Sequence, residues 1–195
     1  SADSYNYAWS ELGFRPVEGK APFRLEGHPD NVAACLRGGL TIAWTADGEP
    51  RMVRLEPAAS IRPVICVGPA PVPTEVARRL LPELVPHRDA AANAGRSALL
   101  VAALTQLPAE PGTLLAATRD WLHQEARRAS YPHTMELVDL LRAQGHAAVV
   151  SGAGPSVLVL TTRAVAADVG AGHLSGDWER LTPGVPSRGA TVRAR

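Results

Sequence analysis

Apolar positions in this chain fall into two rhythms. Short apolar-rich runs at 40–44 (LTIAW) and 51–56 (RMVRLE) read as strands around the turn TADGEP, where Asp47-Gly48 favours a hairpin. A third run, 62–68 (RPVICVG), is apolar enough to be a buried strand, and HAAVV (146–150), SVLVLT (156–161) and ATVRA (190–194) read as further strands. The second rhythm is helical. Over 88–106 (RDAAANAGRSALLVAALTQ) apolar residues recur at three- and four-residue spacing. Helices are also expected over 30–37, capped by Asp30 and ended by Gly38-Gly39, over 111–128, over 133–144 closed by Gly145, and briefly near 164–171. The proline-rich PAPVPT (69–74) is a loop, with Thr74 placed to cap a helix through EVARRLLP. The pattern predicts an α+β fold, with helices covering one face of a mostly antiparallel sheet.

Composition narrows the function classes without naming one. The chain has 195 residues, 46% hydrophobic and 20% charged, with a net charge of +1. That balance suits an ordinary globular protein and gives no polybasic surface for nucleic acid or an anionic membrane. No apolar run is long enough to span a bilayer, and SADSYNYAWSELGF lacks the basic and apolar regions of a signal peptide, so a cytoplasmic location is expected. Cys35 and Cys66, without any CxxC or Cys/His cluster, are expected to be buried thiols and not zinc ligands. The first 24 residues look foreign to the rest. Tyr5, Tyr7, Trp9, Phe14, Phe23 and the sole lysine, Lys20, crowd there, and an Ala/Arg/Leu/Val-rich chain follows.

Two short stretches carry candidate chemistry. EGHPDN (26–31) packs two carboxylates, an imidazole and a carboxamide into six positions. Such groups can hold Mg²⁺, accept a proton or grip an ammonium, although an ordinary loop before a helix uses the same residues. SGAGPS (151–156) is a glycine turn between two apolar runs. It is not a dinucleotide fingerprint, because Val157 stands where a third glycine would fall and a strand follows; nor is it a P-loop, because GxxxxGK[ST] is absent. It reads either as a tight hairpin using glycines at positive φ or as backbone N–H groups that face an anion or brace a loop that does.

Together the two stretches resemble the GHMP small-molecule kinases, and within them bacterial homoserine kinases. EGHPDNVAACLRGG is similar to the EGHPDNVAAALLGG stretch of that family, and SGAGPSVLVL resembles its third conserved motif. VPTEVARRLLP and NAGRSALLVAALTQ resemble further segments in the same order, so the likeness runs over about residues 25–195. It implies a divergent segment over 1–24, the end of the GHMP N-terminal domain over 25–68, and the C-terminal domain over 69–195. It implies ATP and Mg²⁺ as the phosphoryl-transfer partners, a place in amino-acid (threonine) biosynthesis, and an amino-acid-like substrate bound by His28, Asp30, Asn31, Arg78 and Arg127, with Arg128 as the alternative to Arg127. Arginine suits this role because its planar fork grips a carboxylate at two points. Glu26 falls where the family holds Mg²⁺, and Gly152, Ala153, Gly154 and Ser156 resemble the turn that supports the phosphate loop.

One part of the family pattern is missing from these residues. The phosphate loop PxSRGLGSSAA does not occur; the nearest string, PSRGA at 186–190, lacks the second glycine and the serine pair and leads toward ATVRA. Phosphoryl transfer depends on positioning and on neutralising charge at the γ-phosphate, so this chain alone is expected to hold ATP poorly. Two functions therefore stand: a homoserine kinase-like phosphotransferase, impaired or incomplete in these residues, and a non-kinase relative that keeps an amino-acid pocket as a binding, regulatory or repurposed biosynthetic module. Either leaves an exposed sheet edge and apolar patch for a second copy or a partner chain to cover.

Overall fold

The computed structural model describes residues 29–68, 79–106, 109–170, 172, 174 and 178–190. These form two compact units, one from the described residues up to Pro57 together with those from Val185, the other from Ala58–Gly184.

The first unit is built on helix α1 (Pro29–Arg37) and strands β1 (Leu40–Ala46) and β2 (Glu49–Leu55). Proline opens the helix, where its missing N–H costs nothing and its fixed φ is already helical. Asp30 therefore sits inside the first turn and not before it as expected; its carboxylate accepts from the Asn31 N–H at 2.9 Å. Gly38, at φ 62°, ends the helix by donating its N–H to Ala34 O. The hairpin forms where Asp47-Gly48 predicts it, with φ of 53° and 73° at the two central residues and Ala46 paired to Glu49. A two-residue turn with positive φ at both central positions matches the right-handed twist of the flanking strands. One hairpin face leaves Ile42, Trp44 and Val53 exposed. On the other face, the Arg54 guanidinium donates to Arg37 O at 3.0 Å and Ser187 O at 2.9 Å, and pairs with Glu56.

PSRGA has a structural task in this unit. Pro186 O accepts from Gly39 N, Cys35 O accepts from Ala190 N, and the segment lies so close that a Cβ on Gly189 would stand 2.0 Å from Leu36 O. Cys35 is exposed, which corrects the expectation of two buried thiols. Val32 and Ala33 are the buried residues of α1 and Leu36 is half-buried, so the helical period turns Cys35 outward. Cys66 is buried as expected.

The second unit is a four-stranded antiparallel sheet with helices against it. Strands β3 (Ile61–Val67), β4 (Ala147–Val150), β5 (Val157–Thr162) and β6 (Glu179–Leu181) lie in the order β4-β5-β3-β6. Helices α2 (His87–Thr105), α3 (Pro111–Ala117), α4 (Gln124–Arg127) and α5 (Pro132–Ala143) complete it. Register places Ala148 beside Val159 and Val159 beside Val64, and likewise Val150, Val157 and Cys66. Those two rows share a face, and Leu137, Val138 and Leu141 of α5 close over it with Val169. The α+β arrangement is thus as the sequence predicts.

Two elements differ from expectation. Residues 111–128 form α3, then a break, then the single turn α4, which a 3₁₀ turn follows at Arg128–Ser130. The Thr118 hydroxyl turns back to Leu114 O, and the Asp120 carboxylate takes up three backbone N–H groups, so the chain stops and restarts there. Residues 164–170 are turns and no helix, held in part by the Arg180 side chain, which donates to Val169 O and Ala166 O. Thr74, and all of 190–194 except Ala190, lie outside the described residues.

Candidate active site

Arg127 closes α4 and is one of the few buried charged residues, 8% exposed. Its short helix is positioned by Asp120. The Asp120 carboxylate accepts from the N–H groups of Leu122 at 3.0 Å, His123 at 2.9 Å and Gln124 at 2.6 Å. Burial pushes the Asp120 pKa up, but these backbone donors and His123 Nδ1 together pull it below its ordinary value. Arg128, the alternative substrate arginine, is committed elsewhere. It donates to both oxygens of Glu125 at 2.8 and 2.7 Å and to Asp139 at 2.8 Å, which raises its pKa further.

Tyr131 links Arg127 to the glycine turn. Its hydroxyl is buried with no partner in hydrogen-bonding geometry among the described residues. Burial pushes the phenol pKa up, more than the nearby Arg127 guanidinium pulls it down. The ring lies against Gly154, where a Cβ would stand 3.0 Å from Tyr131 Cε1. A buried cation, a buried hydroxyl under the influence of that cation and a glycine turn therefore occur in one unit. That combination has the donor chemistry for a carboxylate or phosphate oxygen.

The turn itself spans 151–156 between β4 and β5, with Gly152 at φ 58° and Gly154 at φ 86°, so the positive φ expected of both glycines is present. Two of its N–H groups are spent internally: Ser151 donates to Ser156 O at 2.8 Å and Gly154 to Ser151 O at 2.9 Å. Pro155 has none to offer, and its carbonyl accepts from the Thr134 hydroxyl at 2.8 Å. Gln124 Oε1 accepts from Val150 N at 2.6 Å just before the turn. A turn so braced suits a supporting role better than a ring of free donors wrapped round a triphosphate. Ala153 and Ser156 belong to it only through the backbone path.

The remaining sequence candidates divide between the other unit and undescribed positions. Asp30 and Asn31 are exposed neighbours on the first turn of α1. Glu26, His28 and Arg78 lie outside the described residues. No cluster of three or more His, Cys, Asp or Glu side chains suited to a metal ion exists among the described residues. Sequence reasoning missed Tyr131 and Asp120. Asp120 had a signal, a carboxylate two to four residues before the N–H groups of a helix start; Tyr131 had none, because its partners come from other segments.

Comparison with known proteins agrees with this architecture. Residues 99–174 match the family model described as GHMP kinases C terminal. The chain is 54% identical over 169 residues to a homoserine kinase of Streptomyces avermitilis, covering 86% of this chain and 54% of that protein. It is 53% identical over 169 residues to that of Streptomyces coelicolor, covering 86% and 53%. The chain thus spans about half the length of the curated relatives it matches. The crystal structure of homoserine kinase from Cytophaga hutchinsonii superposes with a TM-score of 0.72 at 27% identity, over 92% of this chain and 62% of that one. A putative homoserine kinase from Listeria monocytogenes gives a TM-score of 0.66 at 26% identity, over 100% and 67%. The chain belongs to the GHMP kinase family, and its second unit carries that family's C-terminal domain.

Proposed function

We propose that this chain carries the amino-acid side of a homoserine kinase-type phosphotransferase, acting on the hydroxyl of homoserine or a similar amino alcohol in threonine biosynthesis in the cytoplasm. The observation that carries the reading is the meeting of buried Arg127, the buried Tyr131 hydroxyl beside it and the Gly154 turn. In this reading Arg127 and Arg78 grip the substrate carboxylate, while His28, Asp30 and Asn31 bind its amino end. Glu26 is the residue that would hold Mg²⁺, and Gly152, Ala153, Gly154 and Ser156 brace the phosphate loop. Residues 25–68 are assigned to the end of the N-terminal domain and 69–195 to the C-terminal domain, with 1–24 as a separate segment. A second copy or partner chain covers the exposed Ile42, Trp44 and Val53.

MgATP supplies the transferable phosphoryl group. The chain's own share is to orient the substrate hydroxyl and to exclude water around the Arg127 guanidinium, where a lower local dielectric strengthens its hold on a carboxylate. The triphosphate cradle comes, in this reading, from residues outside these 195, because the phosphate-loop pattern is not among them. That same observation favours a second reading, a non-kinase relative that keeps the amino-acid pocket. Thermal melting and turnover separate the two. Homoserine should raise the melting temperature, and Arg127→Ala should abolish the shift while the folded spectrum stays intact. Phosphohomoserine formed from MgATP once the chain is joined to a segment that carries the phosphate loop supports the first reading; homoserine binding with no turnover in that joined chain supports the second. A homoserine shift that survives Arg127→Ala sinks the assignment of this pocket.

A further inference from the structure

A second concave site lies in the same unit, on the side of Asp120 and Gln124 that Arg119 and Arg142 line. It is a cavity of about 350 Å³ lined by Arg119, Asp120, Trp121, Gln124, Glu125, Met135, Val138, Asp139 and Arg142. Neither Arg127 nor any residue of 151–156 lines it. Its volume is that of a small-metabolite pocket, commonly about 300–1,000 Å³.

Its walls hold three carboxylates and two arginines that are not paired with one another. Its carboxylates are all engaged: Asp120 by three backbone N–H groups, Glu125 and Asp139 by Arg128. Among the described residues no carboxylate forms an ion pair with its arginines. Arg142 donates only to neutral acceptors, the Thr118 hydroxyl at 3.0 Å, Ala148 O at 3.0 Å and Leu115 O at 2.8 Å. Arg119 lies over the Trp121 ring at 5.0 Å from its centroid, and Arg96 of α2 over the same ring at 5.7 Å. The backbone at this position is held by Asn93, whose Oδ1 accepts the Trp121 main-chain N–H at 3.2 Å. Burial and the like charge of Arg119 both hold the Arg142 pKa below its ordinary value, whereas Asp139 only partly offsets them. Arg119 and Arg96 gathered on the indole, with Arg142 close enough to feel the charge of Arg119, form a guanidinium cluster beside carboxylates that are already engaged by other donors. An oxyanion there would gain charge-assisted hydrogen bonds from Arg119 and relieve the repulsion with Arg142.

We infer that the cavity between Trp121, Arg119 and Arg142 is a binding site for a small oxyanion, a carboxylate or a phosphate monoester, separate from the Arg127 site. The probes are inorganic phosphate and succinate, with sodium chloride at matched ionic strength, added to the full chain. The readout is the indole Nε1–H cross-peak of Trp121 in ¹H–¹⁵N spectra, assigned by its loss in Trp121→Phe. A saturable shift with phosphate alone identifies a phosphate site, with succinate alone a carboxylate site, and with both a general oxyanion site. Arg119→Ala should weaken that binding roughly tenfold, the loss of one charge-assisted hydrogen bond, and Arg119→Lys should restore part of it. Arg96→Ala, which removes the second cation over the ring, should weaken it as well. The inference is overturned if chloride produces the same shift, if no probe gives saturation, or if both alanine variants bind as tightly as the parent chain.

Discussion

Tyr131 rests on Gly154 so closely that no side chain fits between them; a Cβ on the glycine would lie 3.0 Å from Tyr131 Cε1 and 3.1 Å from Val150 Cγ1. The contact joins the helical side of the unit, where Arg127 is buried, to the turn between β4 and β5. Position 154 is also at φ 86°, a backbone region that L side chains avoid. Gly154→Ala should therefore cost about 1–3 kcal/mol from backbone strain, with crowding added. Chemical denaturation would measure it. Gly152→Ala has open space at its Cβ and only a positive φ to pay, so it should cost less.

Asp120 should make the chain acid-sensitive over a defined range. Its folded pKa is depressed, so its contribution is fully present above the unfolded value and is lost as pH falls through the folded one. Melting temperature should thus drop below about pH 4, and Asp120→Asn should flatten that part of the profile. At neutral pH the substitution should destabilise by about 1–2 kcal/mol, the scale of a lost helix-start carboxylate. An unchanged acid limb in Asp120→Asn would rule out this carboxylate as its source.

Gly189→Ala should detach the 186–190 segment from α1. Its Cβ would fall 2.0 Å from Leu36 O and 2.2 Å from Leu36 C, both backbone atoms that cannot swing aside. Either the segment moves or the helix end does, at about 1–3 kcal/mol for an overpacked contact. Hydrogen exchange would read the change at Gly39 and Ala190, whose N–H groups bond across this junction.

The two thiols should react at different rates. Cys35 is exposed and Cys66 is fully buried; burial pushes the Cys66 thiol pKa up, more than Arg180 pulls it down. Maleimide labelling of the native chain should modify Cys35 alone, with Cys66 reacting after denaturant is added. Equal native rates would place Cys66 in a site that opens readily.

Leu141 has no exposed surface and sits under the central row of the sheet. Leu141→Ala should cost about 2–5 kcal/mol, because the facing strands cannot close the hole. Equilibrium unfolding in urea would show it as a lower midpoint with an unchanged slope.

The sequence by itself determined the elements whose cause is local. Alternating and helical spacing located β1 to β5, α2 and α5 to within a residue or two, and Asp47-Gly48 specified the hairpin because two adjacent residues supply both positive φ values. The glycines of SGAGPS gave the turn for the same reason. Tertiary structure decided what depends on partners distant in the chain. β3 lies between β5 and β6, which follow it by about ninety residues or more, and no local pattern specifies that order. PSRGA reads in sequence as a failed phosphate loop, yet its glycine is required by the backbone of Leu36. Residues 111–128 read as one helix because their apolar spacing continues, but Asp120 captures the N–H groups that a continuous helix would have used. Arg127 and Arg128 are adjacent and chemically identical; only packing buries one beside Tyr131 and binds the other to Glu125 and Asp139. Short-range backbone geometry is written into neighbouring residues, whereas burial and charge pairing exist only after remote segments have met.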